Sequence, residues 1–148
     1  MKLQRRALIK SLFTAAAVLA VPRFVFASRP DAAFDADNAD SVVSDLFDGP
    51  ITESDQIKLK VPDIAENGAV VPVTVSTDLA DVEAISVMVE NNPTPLVAMF
   101  ELSPQSVPEI SVRIKMGESS KVQTVVKAGG KYYSASKEVK VTIGGCGG

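Results

Sequence analysis

Two periodicities divide the chain. Val42, Val43, Leu46 and Phe47 fall at helical spacing and form one apolar stripe on an otherwise acidic segment. Asn38 or Asp40 is placed to cap that helix, and Asp48-Gly49-Pro50 stops it near Phe47, because Pro50 cannot continue a helix. From Ile57 the period falls to two. Ile57, Leu59 and Val61 alternate with Lys58 and Lys60, as in a half-buried strand, and Pro62 ends the run. Asn67-Gly68 reads as a turn. Ala69 to Thr77 then forms a second strand with Val71, Val73 and Val75 on one face; Pro72, on the other, predicts an edge position or a bulge. Ile85, Val87 and Val89 repeat the pattern, and Asn91 to Pro95 makes a rigid turn. Leu96, Ala98, Phe100 and Leu102 share the next apolar face, followed by Ile110, Val112, Ile114 and Met116 with Arg113 and Lys115 outward. Gly129-Gly130 separates Lys121 to Ala128 from Lys131 to Ser134 as a two-residue hairpin turn. Val139, Val141 and Ile143 close the set.

About seven or eight short strands with turns at regular spacing predict a mostly β fold. The expected architecture is an immunoglobulin-like antiparallel β-sandwich over residues 57–143, with a short N-terminal helix inside residues 28–56. A small barrel is the competing architecture. Residues 28–37 are expected to be a flexible lead-in. The chain lacks the cysteine pair and the tryptophan of antibody domains, so the pattern argues architecture only.

Ahead of this domain stands a different kind of segment. Lys2, Arg5, Arg6 and Lys10 precede an apolar run from Leu12 to Val21, and Val25-Phe26-Ala27 offers a small-residue cleavage site. These are the three parts of a signal peptide, so residues 1–27 are read as an export leader cut after Ala27. The apolar run is about half of the roughly 20 residues that a spanning helix needs, and Arg23 interrupts it, which argues against an anchor. Arg5-Arg6 within Gln4 to Lys10 resembles a twin-arginine signal, the type that exports folded proteins. The expected location is the periplasm.

The leader holds five basic residues and no acidic one. The remaining 121 residues therefore hold 10 basic and 18 acidic side chains, a net charge near −8. That field repels a phosphate backbone, so nucleic acid and anionic membranes are poor partners. The sequence has one cysteine and no histidine, which leaves little for a zinc or haem site; no metal site and no stably bound cofactor are expected. An unpaired cysteine in an exported protein is a free reactive thiol or an intermolecular link, so a disulfide homodimer through Cys146 is one expected form.

That cysteine lies in Gly144-Gly145-Cys146-Gly147-Gly148. Four glycines bring no side chain to a core and cost the most entropy to order, so residues 144–148 are expected to be a flexible arm. An extended tripeptide from Ile143 carries the sulfur about 10 Å past the sheet. Free cysteine prefers burial, so a thiol placed this way contradicts its usual setting. Gly144, Gly145, Gly147 and Gly148 also clear steric bulk from both sides and let the thiol enter a narrow pocket. An unperturbed thiol, with a pKa of about 8.5, is only a few per cent thiolate at neutral pH. No second cysteine or histidine is present to activate or resolve it. Three readings stay open from the residues: a covalent carrier, an exported binding module whose cysteine forms an intermolecular disulfide, and a thiol redox or sulfur-transfer enzyme.

Val139 to Gly148 resembles the C-terminus of the SoxY family of periplasmic sulfur-oxidation carriers. Ile64 to Val73 and Arg113 to Glu118 are similar to that family too, as is the twin-arginine leader. The resemblance implies a non-catalytic protein that holds sulfur intermediates of thiosulfate or sulfide oxidation, including a persulfide, as a covalent adduct on Cys146. It implies a heterodimer with a SoxZ-like subunit. It further implies transient visits to a SoxAX-like cytochrome, a SoxB-like hydrolase and, in organisms that possess it, a SoxCD-like dehydrogenase. Tyr132 and Tyr133 are candidate partner contacts or sheet-packing aromatics, and the greasy stripe Val42, Val43, Leu46 and Phe47 either packs on its own domain or is a candidate partner surface.

Overall fold

The computed structural model describes residues 29–142. The leader with Arg5, Arg6 and Ala27 lies outside the described residues, and so does the terminal segment with Gly144, Gly145, Cys146, Gly147 and Gly148.

In chain order the elements are α1 (Asp31–Asp35), α2 (Ala39–Leu46), β1 (Ile51–Glu53), β2 (Ile57–Lys60), β3 (Ile64–Ala65) and β4 (Val71–Thr77). They continue as β5 (Val82–Val89), β6 (Leu96–Glu101), β7 (Glu109–Ile114), β8 (Ser120–Ala128) and β9 (Lys131–Val141). Two sheets form. The larger runs β1-β9-β8-β5-β6, with β3 also pairing β9; the smaller runs β2-β4-β7.

The sandwich core follows from strand alternation. Val71, Val73 and Val75 of β4 are fully buried and meet Ile85, Val87, Val89, Val122, Val126 and Val139 from the larger sheet. Each such side chain contributes about 1.5–3 kcal/mol when removed from water. Thr124 falls in the same buried row, and its hydroxyl donates to the Ser86 carbonyl at 2.9 Å, so no polar group is left unpaired there. Gly129 (φ 55°) and Gly130 (φ 71°) take the left-handed conformations that a tight hairpin between β8 and β9 requires.

The outer face of the larger sheet is also covered. Met88, Leu96, Val125 and Tyr132 form a second cluster with Ala33 of α1 and Val42 of α2. Asn38 caps α2: its side-chain oxygen accepts the Ser41 N–H at 2.8 Å. Val43, Leu46 and Phe47 pack against this cluster, and the Phe47 ring meets Tyr132 edge-on at 5.1 Å. The apolar stripe of α2 is thus used within its own domain and is not a partner surface.

Several details differ from the sequence pattern. Residues 31–35 are helical where a flexible lead-in was expected, because Ala33 is buried against the sheet. β9 is one strand of 11 residues, where two separate runs were expected. β1 and β3 were not anticipated, and both pair with β9 in parallel. Leu96 does not share a face with Ala98. Val87 pairs with Ala98 but Met88 pairs with Leu96, so a bulge at Val97 turns Leu96 to the helix-covered side. Pro72 sits in a central strand, not an edge strand. It is accommodated because β2 pairs with β4 only as far as Thr74, leaving that flank of Pro72 open.

Candidate functional site

The strand that leads toward Cys146 is held from two sides at its end. On one side the segment Asp63–Ala65 straps it. Ile64 and Ala65 pair with Lys140 and Val141. The Asp63 carbonyl accepts the Lys140 N–H at 3.0 Å, and the Ala65 carbonyl accepts the Thr142 N–H at 3.0 Å. Lys137 fastens the strap by donating to the Val61 carbonyl at 3.1 Å and pairing with Asp63 at 2.9 Å. On the other side, the Ser119 hydroxyl accepts the Val141 N–H at 2.9 Å.

A third segment wedges in at this end. The Met116 N–H donates to the Gly68 carbonyl at 2.7 Å. A Cβ on Gly68 would collide with the Met116 carbonyl oxygen and stand 2.9 Å from Cγ1 of Val141, so only glycine fits. Neighbouring turns are clamped in turn. The Asn92 side chain donates to the Lys115 carbonyl at 2.8 Å and accepts the Gly117 N–H at 3.1 Å. The Asn91 N–H donates to the Ser120 hydroxyl at 2.9 Å.

The three stretches that carry the family resemblance therefore meet at one pole of the sandwich. Gly68 lies in the first, Met116 in the second and Val141 in the third. Ile64 and Val70, both about half exposed, stand beside them at 57% and 50%. Thr142, held by the Ala65 carbonyl, is the last of the described residues. Cys146 stands four positions further along the chain.

Tyr132 and Tyr133 are packing residues: Tyr132 lies under α2, and half-buried Tyr133 packs on the inter-sheet core. Among the described residues no group of His, Cys, Asp or Glu could hold a metal ion, and no helix is long and apolar enough to cross a membrane. Pattern reading missed the strap at Asp63–Ala65 and the Ser119 anchor. A two-residue strand leaves no periodicity, and the only signal was that Ile64 opens one of the stretches resembling the family.

The family described as sulfur oxidation protein SoxY matches residues 43–146. Among solved structures, the sulfur carrier protein SoxY from Chlorobium limicola f thiosulfatophilum is similar at 45% identity and a TM-score of 0.64. That match covers 70% of this chain and 94% of the other. Superoxide reductase (neelaredoxin) from Ignicoccus hospitalis is similar at 17% identity and a TM-score of 0.53, covering 59% and 80% of the two chains. A variant of that reductase gives 16% identity, the same TM-score of 0.53, and coverage of 73% and 91%. These two likenesses bear on the fold alone. No curated protein matches the chain.

Proposed function

Because this chain belongs to the SoxY family of sulfur-oxidation proteins, we propose that it carries sulfur covalently on Cys146 and presents it to the enzymes of the pathway. The observation that carries this reading is the position of its one cysteine, four residues past the Thr142 amide that Ala65 holds and inside the span matched to the family. A rigid root and a glycine-flanked thiol suit a cargo group that must enter other proteins' active sites.

The chemistry balances simply. The Cys146 thiolate and thiosulfate are joined through a new S–S bond to give a cysteine S-thiosulfonate, releasing two electrons to a c-type cytochrome of the SoxAX kind. Water then cleaves the sulfur–sulfonate bond in a SoxB-like hydrolase, leaving a cysteine persulfide anion and releasing sulfate and two protons. A SoxCD-like enzyme oxidises the remaining sulfur where one exists. The chain supplies the attachment atom and its reach, with no acid, base or cofactor of its own. The reading includes a SoxZ-like subunit as stable partner and work in the periplasm, supported by the family and by the leader read at residues 1–27.

Peptide mapping after thiosulfate oxidation in a reconstituted system tests this reading. The expected result is a sulfur adduct on Cys146 alone, and Cys146→Ser should abolish thiosulfate-dependent electron release with the thermal midpoint unchanged. Full activity in the serine variant would overturn the carrier reading in favour of a binding module.

A further inference from the structure

Resting on the carrier reading, we infer that the stable partner subunit docks on the open side of the sandwich, in the groove between β6 and β7. The occupant is a separate subunit that offers apolar side chains flanked by carboxylates.

β6 ends the larger sheet and β7 ends the smaller, on the same side of the sandwich. Between them lies a groove of about 660 Å³, walled by Leu96, Val97, Ala98 and Val112 and rimmed by Arg113 and Lys115. Among the described residues no further strand pairs with either edge. The other edges are guarded. β1 and β3 occupy the free flank of β9, and β2 carries Lys58 and Lys60, charges that discourage edge-to-edge association. β6 instead reads Leu96-Val97-Ala98-Met99-Phe100-Glu101, with no proline and a charge only at its last residue, and Val97 to Phe100 are only half buried. Apart from Glu101 at its far end, its protective device is the bulge at Val97, a residue that lines the groove. Proteins ordinarily cover a long apolar edge stretch of this kind.

Charge selects the occupant. The groove lining contains no carboxylate, and neither Arg113 nor Lys115 makes an ion pair among the described residues. Two unpaired cations at the rim of an apolar trough call for carboxylates on the incoming surface. A second copy of this chain fits less well. Beyond the leader each copy carries a net charge near −8, so two copies repel as bodies.

The test measures affinity of the full-length mature chain for a separately purified SoxZ-like subunit by calorimetry. Double charge reversal, Arg113→Glu with Lys115→Glu, should weaken binding at least about tenfold, with reduced salt sensitivity. Val97→Asp should do the same. Lys58→Glu with Lys60→Glu on the β2 edge should leave affinity within about twofold, as surface charges away from an interface do. Arg113 and Lys115 are exposed, so their variants keep the test valid if Val97→Asp fails to fold. Unchanged affinity in the groove variants would overturn the docking site while leaving the carrier reading intact. Loss of self-association alone, seen by sedimentation, would assign the groove to a second copy and overturn the inference equally. Sulfur loading of Cys146, followed in parallel, reports separately on the carrier reading.

Discussion

Gly68 is the residue on which the anchoring of β9 turns most directly. Its missing side chain lets the turn before β4 approach Met116 and Val141 at once. Gly68→Ala should destabilise the domain by about 1–3 kcal/mol, the usual cost of overpacking. Gly117→Ala is the matched control, since nothing stands within 4 Å of a Cβ there. Urea titrations of the two variants decide the matter; equal stability would mean that the contact at Gly68 relaxes freely. The glycine was legible in the sequence only as half of an Asn-Gly turn. Its close approach to two distant segments was not, because those neighbours lie far along the chain.

Among the elements, the β8–β9 hairpin and the β9 strap give opposite kinds of test. At the hairpin, Glu83 accepts the Gly130 N–H at 2.9 Å and pairs with Lys127 at 3.0 Å. The Lys127 contact, then the Gly130 amide, hold the Glu83 carboxyl below its ordinary value of 4.5, while Glu83 raises Lys127 above 10.5. A depressed carboxyl stabilises the fold at pH above its unfolded value, and that contribution is lost as pH falls through the folded value. The raised amine contributes below 10.5 and is lost only at more alkaline pH. The pair therefore spans neutral pH and weakens on the acid side below 4.5. Glu83→Gln should lower stability slightly at pH 7, where the pair is formed, and converge with the parent below 4.5, the difference being small because the pair is exposed. An acid limb identical to the parent's would remove this contact from the account. At the strap, amide hydrogen exchange should show protection at Lys140, Val141 and Thr142 that ends beyond Thr142. Protection that continues to Gly148 would mean the arm docks on the domain.

For the molecule as a unit, cargo and fold are separable. Both hydrophobic clusters close among the described residues, with β9 as a shared wall. Removing residues 144–148 should leave the thermal midpoint unchanged while sulfur carriage is lost. A large drop in the midpoint, read by calorimetry, would show that these residues contribute to the core.

Strand periodicity, the hairpin glycines and the cap at Asn38 were readable because each rests on residues adjacent in sequence. The valine alternation of β4 could bury only one face, and Gly129-Gly130 could adopt the positive φ that its turn needs. Cys146 stood out for the same reason, as the sole thiol between pairs of glycines. Tertiary packing alone decided the rest. Whether the α2 stripe faced its own sheet or a partner depended on where Tyr132 and Met88 came to lie. Leu96 changed faces because a bulge at Val97 shifted the register, which no period-two count reveals. The parallel strap at Asp63–Ala65 exists because a two-residue segment meets β9 more than 70 positions later in the chain, and hydrogen bonds at that separation leave no mark in local sequence.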